Sequence, residues 1–291
     1  LGICGWLEKI RYCAMQDQSS DPTPSTPLPA ATVMLLRDGA EGLEVFMVTR
    51  QPAMWFSSAL VYPGGKMDPA DTDPLLIDLC RGATGLTADQ AALRICAIRE
   101  TFEETGILLA CEGDSGTLVN DVRRAQLEQH YRAKVHAGEI TLYDMAVTEN
   151  LTLAVNLLVP FAHWITPKEF PRRFDTHFYL APAPAGQTAS HDHHEAADSV
   201  WIRPAVAIAE AEAGDHALML VTRVNLAKAG RSRTTQEALD AARAATIVTV
   251  NPPVDILEEG VVYYLPEEAD YGLTEGFEPK LFPSNDKGRA I

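Results

Sequence analysis

The sequence predicts a mixed fold of the α/β or α+β class, a sheet packed with helices but without the regular alternation of a parallel βαβ array. Three observations carry this. Two β-rich runs bracket a tight turn at Asp38-Gly39, one long helix between residues 88 and 105 has matched start and stop signals, and strand-like and helical runs mix irregularly thereafter.

Residues 16–30 (QDQSSDPTPSTPLPA) are rich in Ser, Thr and Pro, so residues 1–30 are expected to form a flexible lead-in. Thr32–Arg37 and Leu43–Arg50 then make a hairpin, and a third strand, Leu60–Tyr62, stops at Pro63-Gly64-Gly65. The helix over 88–105 opens with Thr87 and Gln90 in capping-box spacing and closes at Gly106, a natural left-handed stop. Leu108–Cys111 reads as a strand, and residues 115–150 as a helical insertion without obvious chemistry. Strands are expected at Leu153–Val159, Arg173–Ala181 and Ser199–Ile202, and helices at Pro204–Ala213, Ala217–Ala229 and Thr235–Ala245. Proline at the first position marks the first of these helices, and a second capping box, Thr234 to Glu237, marks the last. One domain over 31–255 follows, with 256–291 as a tail lying over the surface.

Composition narrows the function. At 291 residues with 46% hydrophobic and 22% charged residues, the chain is globular. Its 24 Lys and Arg against 40 Asp and Glu give a net charge of −16, which disfavours nucleic acid as a partner. A phosphate-bearing small molecule would need a cation to reverse the local field. No apolar run approaches the ~18 residues of a membrane span, so no membrane role is expected. Glu8, Lys9 and Arg11 interrupt any signal-peptide core, and five cysteines without a CxxC pair read as reduced thiols, so a cytoplasmic protein is expected.

The chemistry concentrates in Ala91–Ile107 (AALRICAIRETFEETGI). Ala91, Ile95, Ile98 and Phe102 make one apolar stripe, and Glu100, Glu103 and Glu104 gather on the other side. Arg99 stands four residues before Glu103, the spacing at which helix side chains meet. Three clustered carboxylates repel unless a cation lies among them, and oxygen ligands select hard ions such as Mg²⁺ or Mn²⁺.

Arg99-Glu100-Thr101-Phe102-Glu103-Glu104-Thr105-Gly106-Ile107 resembles the second half of the Nudix box, R-E-U-x-E-E-x-G-U with U apolar, Thr101 standing at the first U. The first half of the box, G-x5-E, has Gly65 and Asp71 as its counterparts, a shortened acid in place of Glu. Twenty-seven residues separate Asp71 from Arg99, so the box is interrupted. Interruption, together with Tyr62–Asp68, Trp164–Pro167 and Arg172–Thr176, resembles the Nudix branch that includes the peroxisomal coenzyme A diphosphatase. This resemblance implies the Nudix αβα sandwich, a mixed sheet between helices, with a helical insertion and extra C-terminal helices. It implies hydrolysis of a nucleoside diphosphate derivative, coenzyme A or an acyl ester among them, with Mg²⁺ or Mn²⁺ held by Glu100, Glu103 and Glu104. Arg99 would orient Glu103, and either Glu103 or Glu195, a loop acid six residues before Trp201, would take the proton. Other readings are an ADP-ribose, dinucleotide or nucleoside triphosphate hydrolase, or a silent Nudix-fold sensor, against which the intact acid set speaks.

Arg50, Arg172 and Arg173, with Gly65, are candidates for holding the substrate phosphates, since guanidinium pairs bidentately with phosphate. Trp55, Phe56 and Trp164 are expected in the core, with stacking on an adenine as the alternative, and His191, His193 and His194 in a solvated loop cluster, with a metal site as the alternative. A small molecule is the expected partner, and a homodimer is compatible with the sequence.

Overall fold

A computed structural model describes residues 25–50, 59–189 and 196–279; for Arg50, Ala196 and Ala197 it describes the backbone alone. Expectations for Trp55, Phe56, His191, His193, His194 and Glu195 therefore lie outside the described residues. A mixed eight-stranded sheet organises the chain. Its strands are β1 (Leu28–Gly39), β2 (Gly42–Arg50), β3 (Leu60–Val61), β4 (Gly64–Lys66), β7 (Val159–Ile165), β8 (Phe174–Pro182), β9 (Ala196–Ile202) and β10 (Thr249–Val250). They run β10-β7-β8-β1-β2-β3, with β4 on β1 and β9 on β2.

The sheet forks, and the fork places the site. β8 pairs in parallel along one edge of β1, from Leu28 to Leu36, so β2 and β4 must share the other edge. β2 takes Leu36–Gly39 and β4 takes Ala30–Thr32. Along β2, β9 fills one edge while β3 meets Val48 and Thr49 on the edge that β1 has left. The 60–66 segment thus wedges between the diverging strands, and the Val33 N–H donates to Pro63 O at 2.9 Å.

Helices α1 (Pro74–Asp78), α2 (Ala88–Thr105), α3 (Asp121–His136) and α4 (Leu142–Glu149) join the short pair β5 (Ala110–Glu112) and β6 (Leu151–Leu153) in the first half. Ile95, Ile98 and Phe102 of α2 bury against Val33, Leu35 and Phe46 in one core cluster. α5 (Pro204–Ala213), α6 (Leu220–Ala229) and α7 (Thr235–Ala244) bury a second cluster around Met34, Val45 and Trp164. Successive β1 residues point to opposite faces, so the two clusters lie on opposite sides of the sheet. Among the described residues no helix is long and apolar enough to cross a membrane.

Several local expectations change. Leu153–Val159 is not a strand: β6 ends at Leu153, a 3₁₀ turn spans Val155–Leu157, and β7 starts at Val159. A continuous apolar run does not distinguish a strand from a buried turn. Pro160 is accommodated beside a bulge in β7. Leu108 is outside β5 because Gln187 takes both its N–H (3.0 Å) and its carbonyl (3.1 Å). The expected helix at Ala217 begins at Leu220, since Ala217 O is held by Leu60 N–H and Leu220 N–H by Glu278 Oε2. The box before α7 is half formed: Thr234 caps Glu237 N–H, but the Glu237 carboxylate accepts from Arg233 N–H instead.

Residues from Pro252, expected to lie over the surface, build a second sheet of β11 (Val254–Ile256), β12 (Gly260–Tyr264) and β13 (Glu275–Pro279). It is pinned inward by Tyr271, whose hydroxyl accepts from Trp164 Nε1 (2.7 Å) and donates to Asn225 Oδ1 (3.0 Å). Trp164 is a core aromatic, 7% exposed.

Candidate active site

The helix that carries the acids starts and stops as its sequence dictates. Thr87 and Gln90 form the full reciprocal capping box, and Gly106 caps the end at φ 69°. The helix is far more buried than an amphipathic stripe implies, and Glu103 and Thr101 themselves are buried. Thr101, at a position where the Nudix pattern has an apolar residue, satisfies its hydroxyl by donating to Ala97 O at 2.7 Å.

Arg99 is the hub. Its Nε and Nη2 donate to the two oxygens of Asp71, both at 2.9 Å, a bidentate pair in which Asp71 is 1% exposed. Nη1 donates to Glu100 Oε1 (2.9 Å) and Glu103 Oε1 (3.1 Å), and Nη2 also reaches Lys66 O (2.9 Å) on β4. Asp71 further accepts from Asp68 N–H in the capping box of the 3₁₀ turn Pro69–Thr72. A shortened acid across a long insertion therefore still meets Arg99, because that turn presents the carboxylate directly to the guanidinium.

The glycines at the fork complete the site. Gly64 N–H donates to Glu104 Oε2 at 3.1 Å. A Cβ on Gly65 would stand 2.5 Å from the Glu100 carboxylate, so only glycine lets strand and acid approach this closely. Burial pushes the Glu100 carboxyl up to about 7; Arg99 pulls it down, while Glu103 and Asp71 push it further up.

The insertion, chemically silent in its sequence, contributes as well. His136 at the end of α3 places Nδ1 3.3 Å from Glu103 Oε2, and Arg132 Nε donates to Glu103 O at 2.7 Å. Glu128 bridges Arg124 and Arg132, so the face 124-128-132-136 follows helical spacing. That periodicity is the available signal; the partner on α2 lies 33 residues away.

Glu100, Glu103 and Glu104 line one side of α2 beside the fork, but their donor atoms do not close into a single tight cluster. Among the described residues the one group of His, Cys, Asp or Glu with three donor atoms within 4.8 Å is His163, Asp175 and His177, elsewhere on the sheet. The donor chemistry at α2 still fits a hard divalent ion: carboxylates alone, two of them turned by a shared guanidinium, against a glycine backbone. Of the arginines, Arg50 ends β2, Arg172 is exposed with its guanidinium 5.5 Å from the Phe174 ring, and Arg173 is buried. Arg173 donates to Thr166 O (2.9 Å) and Ser25 O (2.8 Å), so it holds backbone rather than facing the acids.

Comparison with known proteins gives the class. The structure of a NUDIX hydrolase from Alicyclobacillus acidocaldarius superposes with a TM-score of 0.62 over 75% of this chain and 97% of that one, at 23% identity. The fold is the Nudix fold. Residues 81–218 match the family model described as the NUDT19 Nudix domain. The chain is 27% identical over 205 residues to the acyl-coenzyme A diphosphatase NUDT19 of Xenopus laevis, covering 57% of this chain and 54% of that protein. The Gallus gallus protein of the same name is 30% identical over 163 residues, covering 50% and 41%. The chain thus resembles the NUDT19 branch of Nudix proteins, and it spans about half the length of these curated relatives.

Proposed function

We propose that this chain is a Nudix hydrolase that uses Mg²⁺ or Mn²⁺ to cleave the diphosphate linkage of a nucleoside diphosphate derivative, with coenzyme A or an acyl-coenzyme A as the substrate class. The observation that carries the proposal is the Asp71–Arg99 pair, which fixes Glu100 and Glu103 beside Gly64, Gly65 and Glu104. Likeness to proteins named acyl-coenzyme A diphosphatase supports the substrate class.

In this reading Glu100 and Glu104 would hold the ion, with Glu103 beside them. The ion, when bound, neutralises phosphate oxygens and makes water a better nucleophile. Gly64 and Arg99 keep the carboxylates oriented before substrate arrives, so little reorganisation accompanies the transition state. Glu103, held at Oε1 by Arg99 and at Oε2 by His136, takes the proton of the attacking water; Glu195 is the competing base. Water adds to phosphorus as the bridging P–O bond breaks, giving 3′,5′-ADP and 4′-phosphopantetheine from coenzyme A. Arg172 and Arg50 remain the candidates to pair the 3′-phosphate, because Arg173 is engaged with carbonyls. A reducing compartment such as the cytoplasm suits Cys80, Cys96 and Cys111, all free thiols.

The test is kcat/KM for coenzyme A, dephospho-coenzyme A and ADP-ribose with Mg²⁺, products identified by mass. The expected order puts coenzyme A at least about tenfold above dephospho-coenzyme A, since loss of the 3′-phosphate leaves an arginine unpaired. ADP-ribose as the clear winner would overturn the coenzyme A reading and keep the hydrolase. No cleavage of any diphosphate would overturn both.

A further inference from the structure

Strand register places His163 of β7, His177 of β8, Ala31 of β1 and Gly65 of β4 in one row across the sheet. Gly65 is the end that meets Glu100; His177 lies about 10 Å from it and His163 about 14 Å, at ~4.8 Å per strand. Asp175 stands two residues before His177 and so projects from the same face. The far end of the row carries a compact donor group that the α2 chemistry does not use.

The group is compact, and the Arg94 guanidinium of α2 lies within electrostatic reach of His177. His163 Nε2 is 2.5 Å and His177 Nε2 3.9 Å from the same Asp175 oxygen. The three donor atoms lie within 4.8 Å of one another. The imidazoles stack with centroids 4.0 Å apart and planes at 18°. Donors sharing one tetrahedral ion at ~2.05 Å stand ~3.3 Å apart, so an entering ion replaces the His163–Asp175 hydrogen bond and turns the stacked rings until both face it. On its far side His163 places Nδ1 2.8 Å from Thr249 Oγ1 of β10, the outer hydrogen bond that fixes the ring of a metal-bound histidine. The side chains are 17%, 37% and 34% exposed, so strands hold them while solvent reaches them.

We propose that His163, Asp175 and His177 form a second metal site, for a borderline divalent ion of the Zn²⁺ class, separate from the carboxylates of α2. Two imidazole nitrogens and one carboxylate suit Zn²⁺, whereas Mg²⁺ keeps to oxygen. Three protein ligands leave the fourth position to water from the exposed side. The three ligands lie on the adjacent strands β7 and β8, and Thr249 joins β10, so the bound ion clasps one flank of the sheet. It does not depend on the diphosphate reading.

The full chain, saturated with Mg²⁺ to occupy α2, is titrated with Zn²⁺ by calorimetry, and Co²⁺ binding is followed by visible absorption. Wild type is expected to take one more Zn²⁺ than His177→Ala or Asp175→Asn, or to bind it at least tenfold more tightly. Zn²⁺ should also raise Tm in wild type and in Glu104→Gln but not in the two site variants. Should His177→Ala fold poorly, Asp175→Asn preserves volume and hydrogen bonding and carries the comparison. Unchanged stoichiometry, affinity and Co²⁺ spectrum in both site variants would overturn the proposal, as would Zn²⁺ binding that disappears only with Glu104→Gln. A proton-sharing His–Asp pair, without metal, would then be what the row contains.

Discussion

The two faces of the central sheet bury polar groups by different rules. On the α2 face Asp71, Arg99, Glu100 and Glu103 form one cluster of ionisable groups largely removed from water, at 1%, 12%, 14% and 9% side-chain exposure. On the opposite face each polar group meets a backbone or neutral partner: Tyr62 donates to Thr222 O, Trp164, Tyr271 and Asn225 form a hydrogen-bonded chain, Lys228 Nζ donates to Ala269 O, and Glu278 accepts from Leu220 N–H. Such isolated bonds, without a network of like charges, dock the C-terminal sheet. Burying so many ionisable groups together is costly unless they are paired, and pairing is what Arg99 supplies. The clustered face is the one to which the proposed function assigns the ion and the phosphate.

That contrast can be broken from either side. Asp71→Asn leaves the Arg99 guanidinium buried with one carboxylate fewer, and about 3–5 kcal/mol of stability should be lost. Denaturant midpoints check this, and a loss below about 1 kcal/mol would mean that Lys66 O, Glu100 and Glu103 hold Arg99 unaided. Gly65→Ala drives a methyl into the Glu100 carboxylate and should lower kcat by about ten- to a hundredfold through misplacement, with the far-UV spectrum unchanged.

The third prediction uses pH. Glu100 binds its proton up to about 7 in the fold against 4.5 when unfolded, so between those values the native state holds more protons than the unfolded one. Metal-free stability should therefore fall as pH rises through that window. Mg²⁺ requires the carboxylate, so its affinity should climb by up to about tenfold per pH unit until about pH 7 and then level off. Tm against pH, with chelator and with Mg²⁺, shows the two slopes; parallel curves would remove Glu100 from the ion's ligands. Smallest is Tyr271→Phe on the opposite face, expected to cost about 1–2 kcal/mol with kcat unaffected. A change in kcat would show that the faces are coupled.

Legibility in the sequence follows the range of the interactions. The helix over 88–105 is readable residue by residue, because Thr87, Gln90 and Gly106 act within one turn of its ends. The Arg99–Glu103 bond is readable for the same reason, being one helical turn long. Asp71 stands out by pattern, but its bidentate grip on Arg99 depends on a 3₁₀ turn 28 residues upstream. The 124-128-132-136 spacing puts His136 on one helix face with Arg124, Glu128 and Arg132, but its partner Glu103 lies 33 residues away and is not legible locally. The fork that delivers Gly64 and Gly65 is a property of strand pairing, and β4 has three residues with no periodicity to detect. Likewise His163, Asp175 and His177 come together only through the β7–β8 register.

The most direct test of the central account is Glu104→Gln, assayed for cleavage of coenzyme A across a Mg²⁺ series. The amide oxygen introduced by this substitution can still accept the Gly64 N–H, so folding should be retained while kcat/KM falls by about two to four orders of magnitude. A folded variant with near-normal turnover at low Mg²⁺ would show that the α2 carboxylates are not where this protein holds its ion.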